Sequence, residues 1–328
     1  MLLDLPDDAS PTDATILDDV DGPADAAVRL VEGDNLSALV SLAAEGVEVH
    51  LAYLDPPFFT QRKHHRTKRK RGTSGRMTRT EHLAFDDRWP DLRSYLSALR
   101  ARLAAIRTLL TADGCVVIHV DPTTSHYVKV MCDELFGPAA FQSEIIWRYR
   151  RWPAKTKNFQ RVHDVLLRYQ RDPKAKPRFN QLYEPLAPST RATWGDRKQL
   201  ADFENGQRIR STKTAEKSPG TPMGDVWEIS VIAPVAKERT GYPTQKPEAL
   251  LRRVIQALSH PHDVILDPYA GSGTTLVVAA DEGRSAIGID QSQEATEVMR
   301  ARLDARGHAV RVQRVGNASS DSSSKAPS

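Results

Sequence analysis

Cysteine is scarce in this sequence, and it has no long apolar run. The two cysteines among its 328 residues, Cys115 and Cys132, have a spacing that fits neither a zinc site nor a disulfide framework. We therefore expect two buried free thiols in a reducing cytoplasm, and no metal. No apolar stretch approaches the roughly 20 residues that a membrane-spanning helix needs. The first residues, MLLDLPDDASPTD, lack the basic segment and apolar core of a signal peptide.

The formal net charge is small, +4, but the charges are unevenly distributed. Residues 1–25 are rich in aspartate, whereas residues 61–79 read QRKHHRTKRKRGTSGRMTR. A charge run is by itself more often a solvated loop, but this one closely follows a turn with catalytic-looking residues, which favours nucleic-acid binding. The predicted phosphate contacts are Arg62, Lys63, Arg66, Lys68, Arg69, Lys70 and Arg71.

Short apolar segments alternate with amphipathic ones along most of the chain. Residues 47–54 and 115–121 are typical of buried strands, and residues 91–110 have apolar positions at helical spacing. This alternation predicts an α/β fold, a Rossmann-like and mostly parallel doubly wound sheet with an inserted target-recognition region. The predicted ranges are an acidic disordered tail (1–26), a catalytic half (27–170) with a basic loop (59–82), the insertion (171–238), a cofactor-binding half (239–315) and a disordered tail (316–328).

A glycine-containing turn, VILDPYAGSGTT at 264–275, follows a predicted strand. Its two glycines let the backbone approach a ligand closely, and Asp290 at the end of the next strand can accept hydrogen bonds from ribose hydroxyls. A dinucleotide-binding fingerprint would need a third glycine where Leu276 stands, and the sequence has no Gly-Lys-Ser/Thr of a P-loop. The acidic Asp267 instead favours a cofactor with an ammonium and a ribose but no phosphate, as in S-adenosylmethionine.

The segment LAYLDPPF at 51–58 combines a strand exit with acceptors for an amine. The prolines end the strand and so place Asp55 at its carboxyl end. The exocyclic amine of a base is a poor nucleophile, because its lone pair is delocalised into the ring. Asp55 and the carbonyl of Pro56, held rigid by Pro57, can accept hydrogen bonds from its two N–H groups. Phe58 offers a face for a base extruded from the duplex, a stacking contribution of about 1–3 kcal/mol.

Taken together, these motifs resemble the β group of bacterial and phage amino DNA methyltransferases. In that group an Asp/Ser-Pro-Pro-aromatic motif precedes the glycine-rich motif, with the recognition region between them, as DPPF (55–58) precedes DPYAGSGTT (267–275) here. The segment ERTGYPTQKPEALL (238–251) resembles the family's cofactor segment, and the resemblance covers about residues 29–302. It implies an enzyme that methylates the N6 amine of a flipped adenine in double-stranded DNA, by direct transfer and without a covalent intermediate.

The resemblance also implies roles for individual residues. Asp55, Pro56, Pro57 and Phe58 would be catalytic. Phe159 or His163 would lie near the flipped base, with a structural role as the alternative. Asp34 would lie near the cofactor's adenine, or serve as a helix N-cap, or both. The predicted cofactor pocket comprises Asp34, Thr244, Gln245, Lys246, Asp267, Ala270, Gly271, Ser272, Gly273, Thr274 and Asp290.

Several alternatives stay open at this point. In the resembling family, Asp at the first motif position accompanies adenine more often and Ser accompanies cytosine, so N4-cytosine methylation is the first alternative. An RNA or protein methyltransferase would keep the cofactor motifs, whereas a catalytically silent DNA-binding protein would need a damaged motif. An NAD-dependent enzyme is disfavoured by Leu276. The resemblance also admits a homodimer, a cognate restriction endonuclease and a cytoplasmic, nucleoid-associated location.

Overall fold

A computed structural model describes residues 14–71, 77–153, 155, 157–198, 201–210 and 216–317. Its helices are α1 (Asn35–Ala44), α2 (Leu92–Leu109), α3 (Ser125–Phe136), α4 (Pro188–Trp194), α5 (Glu248–Leu258), α6 (Thr274–Asp281) and α7 (Gln293–Asp304). Its strands are β1 (Ala14–Asp21), β2 (Val28–Glu32), β3 (Val49–Leu54), β4 (Lys63–Arg71), β5 (Met77–Asp86), β6 (Leu110–Val120), β7 (Phe141–Arg148), β8 (His163–Gln170), β9 (Tyr183–Glu184), β10 (Ala201–Glu204), β11 (Gln207–Arg210), β12 (Thr221–Pro222), β13 (Val226–Glu228), β14 (Val264–Asp267), β15 (Ser285–Asp290) and β16 (Val310–Asn317).

Ten of these strands form one central sheet in the order β1-β16-β2-β15-β14-β3-β6-β8-β7-β13. β1 and β8 run antiparallel to their neighbours, and the other strands of the sheet share one direction. The predicted mostly parallel Rossmann-like sheet is therefore confirmed. Within the described ranges, no helix has both the length and the apolar character needed to cross a membrane.

The sheet is covered on both faces, so its central strands are apolar on both sides. Along β3, Ala52 and Leu54 pack with α1, α2 and α3 on one face, whereas Leu51 and Tyr53 pack with α5, α6 and α7 on the other. In β6, the run from Val116 to Val120 is buried throughout, as expected for a parallel strand between two helical layers. Cys115 and Cys132 are both buried and free.

The amino-terminal segment differs from the predicted acidic tail. Residues 14–21 form β1, an antiparallel edge strand on β16, and Ile16 packs against the core below it. The Ile16 amide donates to the Ser41 hydroxyl at 3.0 Å. An edge strand needs only one apolar face and hydrogen bonds to its neighbour, so its sequence can be rich in charged residues. The aspartates of this segment therefore gave no sign of a strand. The rest of both predicted tails, residues 1–13 and 318–328, lies outside the described residues.

The basic segment is a hairpin rather than the predicted loop. β4 and β5 pair antiparallel from Lys63 opposite Asp86 to Arg71 opposite Met77. Charged residues have low strand propensity and the segment lacks apolar alternation, so sequence patterns gave no sign of the pairing. The side chains of residues 66–83 lie outside the described part of the structure, so the predicted contacts of Arg66 and of residues 68–71 stay predictions.

The predicted insertion at 171–238 is joined to the central sheet at both ends. The Arg178 guanidinium pairs with Asp263 at 2.9 Å, just before β14. β13 adds to β7 in parallel, and Trp227 is buried in the core. Between these ends the described residues form α4 and two short two-stranded sheets, β9 with β12 and β10 with β11.

Leu276 of α6 packs against Gly288 on β15, where no side chain occupies the space. An added Cβ on Gly288 of β15 would lie 2.3 Å from Leu276 Cδ1 and 3.2 Å from the Cβ of Ala270. The branched side chain thus fills the space that a residue other than glycine at position 288 would need. This contact sets how closely α6 approaches the sheet beside the glycine turn.

We predict that Gly288→Ala lowers the free energy of unfolding by about 1–3 kcal/mol, because it overpacks this contact. In the double variant with Leu276→Ala, the smaller side chain makes room for the new methyl group. The double variant should therefore be more stable than the sum of the two single effects, by about 0.5–3 kcal/mol. Urea unfolding of the four proteins measures this coupling, and strictly additive losses would contradict the proposed close contact.

Candidate active site

A cavity of about 340 Å³ lies at the carboxyl ends of β2, β3, β14 and β15. In a parallel sheet the loops after adjacent strands meet at this edge, which is where such folds bind ligands. The cavity brings together the predicted catalytic turn and most of the predicted cofactor residues. Those that line it are Asp34, Asp55, Pro56, Pro57, Phe58, Thr244, Gln245, Lys246, Asp267, Ala270, Gly271, Ser272, Thr274 and Asp290.

Asp55 is ion-paired with Lys246 through one carboxylate oxygen. The Lys246 ammonium contacts Asp55 Oδ2 and lies 4.9 Å from the centre of the Phe58 ring. The other oxygen, Oδ1, is buried and has no hydrogen-bond partner within the described residues. A buried acceptor without a donor costs free energy, so Oδ1 is suited to accept from a ligand. The resemblance implies that Lys246 belongs to the cofactor pocket; here it lines the cavity and its ammonium pairs with Asp55.

A buried polar network that the motifs did not reveal lies behind Phe58. The His119 ring is 5.6 Å from Phe58, and its Nδ1 is 2.7 Å from the Tyr53 hydroxyl. Its Nε2 is 3.3 Å from Asp164 Oδ2, and Asp164 also accepts from the Tyr149 hydroxyl. Burial, reinforced by the charge of Lys246, lowers the pKa of His119, so the ring is neutral near pH 7. The lone histidine in the apolar run CVVIHVD was the available signal.

The glycine turn has the left-handed backbone that its sequence predicts. Gly271 has φ 50° and Gly273 has φ 73°. An added Cβ on Gly271 would lie 3.1 Å from the Tyr242 ring, and one on Gly273 would lie 2.6 Å from Met299 Cγ. Gly273 is absent from the cavity lining, so its contribution is to let the turn pack against α7. Of the two glycines, Gly271 is thus the one that lines the cavity.

Asp267 is a buried carboxylate and Asp290 a partly buried one, and they end adjacent strands. Burial, reinforced by the nearby charges of Asp55 and Asp290, raises the pKa of Asp267 to about 7. Its Oδ1 accepts from the Tyr269 amide at 3.0 Å, and no ion pair involving Asp267 is found within the described ranges. Burial also raises the pKa of Asp290. This concentration of buried negative charge fits a cationic ligand better than pyrophosphate.

Other predicted cofactor residues have structural partners. Asp34 is the N-cap of α1, where its Oδ2 accepts from the Ser37 amide at 2.8 Å, and it also lines the cavity. Gln245 uses its amide oxygen and one of its N–H donors within its own loop, accepting from Thr240 at 2.9 Å and donating to the Glu238 carbonyl. Asp290 likewise accepts from the amides of Gly271 and Ser292, both at 2.9 Å.

Phe159 and His163 are not part of the cavity lining. Phe159 is 98% exposed, and His163 is the first residue of β8. The root of the basic hairpin lines the cavity instead, although no motif indicated it. Its lining residues are Thr60, His64, Ala84, Phe85, Asp86, Asp87 and Trp89.

A doubly wound sheet, an acidic glycine turn and an Asp-Pro-Pro-Phe turn in one cavity define the class of Rossmann-like methyltransferases. The chain belongs to the N6/N4 DNA methylase family, whose model matches residues 49–301. The protein is therefore a DNA amino-methyltransferase of the N6-adenine or N4-cytosine type, with S-adenosylmethionine as its cofactor.

Individual relatives and solved structures agree with this family. The chain is similar to the DNA adenine methyltransferase YhdJ of Escherichia coli (strain K12), 28% identical over 293 residues, which cover 86% of this chain and 84% of the relative. The structure of the M1.HpyAVI–SAM complex matches with a TM-score of 0.53 at 18% identity, covering 84% of this chain and 99% of that one. The cytosine-N4-specific PvuII DNA methyltransferase matches with a TM-score of 0.55 at 15% identity, covering 86% and 90%. These two structures support the fold alone.

Asp267 should make stability depend on pH. Its pKa is about 7 in the folded protein and about 3.9 in an unfolded chain, so in this window the folded state retains a proton that the unfolded state has released. Its contribution to stability is therefore full below pH 4 and is lost as the pH rises through 7. Between pH 4 and 8 we expect the cofactor-free wild type to lose up to about 4 kcal/mol of unfolding free energy relative to Asp267→Asn. Urea unfolding at each pH measures this, and a pH-independent difference would contradict it.

Proposed function

We propose that this protein methylates the exocyclic N6 amine of an adenine flipped out of duplex DNA. The observation that carries the proposal is the buried Oδ1 of Asp55, which has no hydrogen-bond partner among the described residues and lies in the cavity that also contains the glycine turn. An amino group donates hydrogen bonds, and this oxygen is the acceptor that the site provides for one. An exocyclic amine inside a duplex is already paired, so the base has to leave the helix first.

The catalytic turn acts on the amino group through two acceptors. Asp55 Oδ1 accepts one N–H and the Pro56 carbonyl accepts the other, which draws the nitrogen lone pair out of conjugation with the ring. Phe58 stacks on the base, and the buried ring of His119 supports Phe58 from behind. When bound, S-adenosylmethionine would supply the methyl group as its sulfur–methyl bond breaks, and the methylated amine would release one N–H proton to solvent. The Lys246 ammonium pairs with Asp55 Oδ2, so that Oδ1 is the oxygen left to accept from the amine.

Two carboxylates are proposed to hold the cofactor. Asp267, buried and without an ion-pair partner among the described residues, would receive the cofactor's ammonium, and the added charge would favour its ionised form. Asp290, at the end of the next strand, would bind the ribose while it holds the Gly271 amide. The close approach needed at Gly271 fits the absence of a side chain there.

The choice of adenine has two supports. The first motif residue is Asp, which in the resembling family accompanies adenine more often than cytosine. YhdJ, named as a DNA adenine methyltransferase, aligns over 86% of the chain. N4-cytosine methylation by the same residues is the second candidate, because a structural neighbour is named as cytosine-N4-specific. A homodimer, a cognate endonuclease and nucleoid association stay predictions from the resemblance.

Single-molecule sequencing of DNA from expressing cells tests this proposal. Wild type should mark adenine at one short motif, and Asp55→Ala should lose the mark because turnover falls by about 100-fold or more. The exposed Asp304→Asn on α7 serves as the matched control and should keep the mark. N4-methylcytosine at the motif would retain the mechanism and overturn the choice of base, whereas no mark with wild type would reject DNA methylation by this chain.

We also propose that the basic hairpin binds the DNA backbone. Arg62 and Lys63 are exposed where the hairpin leaves the cavity, and His64 and Phe85 stack at 4.5 Å on the next rung. The hairpin is therefore anchored at the site and carries its cationic sequence outward. Phosphate contacts of this kind release counterions, so they make affinity depend on salt concentration.

Replacing the seven predicted hairpin cations by Gln should reduce the salt dependence of DNA binding. The slope of log K against log salt should become shallower by about 0.9 for each phosphate that the hairpin no longer neutralises, while cofactor affinity stays the same. Arg300→Gln on α7, which pairs with Asp21 away from the hairpin, controls for the loss of a single cation elsewhere and should leave the slope nearly unchanged. Fluorescence anisotropy over a salt series measures these slopes. An unchanged slope in the hairpin variant would mean that other surfaces bind the backbone.

A further inference from the structure

Asp87 has a carboxylate that the reaction does not use, yet it lies directly behind the catalytic turn. It is 1% exposed and immediately follows β5, the second strand of the hairpin. Its Oδ1 accepts from the Phe59 amide at 3.0 Å and the Trp89 indole at 3.2 Å. Its Oδ2 accepts from the Thr60 amide at 2.7 Å and the Thr60 hydroxyl at 2.6 Å. One side chain thus holds the two residues that follow Asp55–Phe58.

The backbone held by Asp87 has an unfavourable conformation. Phe59 and Gln61 both have φ 58°, in the left-handed region that side chains other than glycine rarely adopt. Such conformations persist when the surrounding structure holds them in place, and they cluster at functional sites. The two amides that Asp87 binds, those of Phe59 and Thr60, lie within this segment.

The backbone of Asp87 also closes the root of the hairpin. The Gln61 amide donates to the Asp87 carbonyl at 3.0 Å, and the Asp87 amide donates to the Arg62 carbonyl at 2.9 Å. The Gln61 side chain then bonds the Trp89 backbone in both directions, at 2.9 and 3.0 Å. The catalytic turn, the hairpin root and the start of α2 therefore meet at one buried carboxylate.

We propose that Asp87 is a positioning residue that fixes the Asp-Pro-Pro-Phe turn relative to the basic hairpin. Its four hydrogen bonds keep the acceptors Asp55 and Pro56 in a fixed position and orientation relative to a duplex bound along the hairpin. The proposal rests on DNA methyl transfer but not on which base is methylated. It assigns Asp87 no contact with the cofactor or with the reacting amine.

Asp87→Asn tests this because it keeps the size of the side chain but turns one oxygen into a donor. Facing the Phe59 and Trp89 N–H groups, that donor would lose both bonds; facing Thr60, it would lose the bond from the amide and reverse the one from the hydroxyl. At least one bond is therefore lost in either orientation. We expect kcat for methylation of plasmid DNA from a methylation-deficient host to fall by about 10- to 100-fold, because small misplacements of reacting groups are costly. Cofactor affinity should stay within about twofold, since the glycine turn is untouched.

Asp263→Asn is the matched control for loss of stability. Asp263 is also a buried carboxylate with several bonds, to Arg178 and to the His260 amide, but it lies at the opposite edge of the sheet. This variant should lose thermal stability and retain kcat. Equal losses of kcat in both variants, or wild-type kcat in Asp87→Asn, would overturn the proposal.

Thr60→Val gives a second variant that removes a single bond to Asp87. It should lower kcat severalfold with unchanged cofactor affinity, and it should add little to Asp87→Asn, because both act through one contact. If Asp87→Asn fails to fold, Thr60→Val carries the test, and an unchanged kcat would then overturn the proposal. Methylation of cytosine by wild type would correct the choice of base and leave this inference intact. A wild type that methylates neither base would instead reject the enzyme activity.

Discussion

The site depends on the parallel pairing of β14 with β3, which sets two distant acids side by side. Ile265 and Leu266 pair with Leu51 and Ala52, so the strand ends that lead to Asp267 and Asp55 reach the same edge of the sheet. Asp290 joins them from β15. Burial raises the pKa of Asp267 to about 7, and repulsion among these three carboxylates around one cavity adds to the effect. The ion pair of Lys246 with Asp55 and a cationic cofactor are two ways in which this charge can be balanced.

That charge arrangement connects cofactor binding to catalysis. Lys246 comes from the loop before α5, so the segment that the resemblance placed beside the cofactor also pairs with the carboxylate proposed to act on the amine. On the other side, Asp87 holds the backbone that follows the same catalytic turn. Asp55 is therefore fixed from two directions, by a loop of the cofactor half and by the hairpin. A network centred on His119 completes the support beneath Phe58.

Sequence patterns predicted the regular part of the fold well and the irregular part poorly. α6 and β15 lie where periodicity and the glycine turn placed them, because buried elements need apolar faces and those faces are visible in sequence. The hairpin β4–β5, the edge strand β1 and the short β13 were missed. β1 and β13 pair with strands far away in the sequence, and β4 and β5 are rich in charged residues. Neither property produces a regular spacing of apolar residues that sequence analysis could detect.

The sequence by itself identified the motifs typical of the family to which the chain belongs: Asp-Pro-Pro-Phe, an acidic glycine turn, and their order along the chain. Such motifs are local, since a turn of this kind needs particular residues at particular spacings. Only the tertiary structure decided which side chains satisfy one another. It turned Lys246 toward Asp55, engaged Gln245 within its own loop and placed Asp87 behind the catalytic turn. Those outcomes depend on burial and on distances between segments far apart in the chain, which no local pattern encodes.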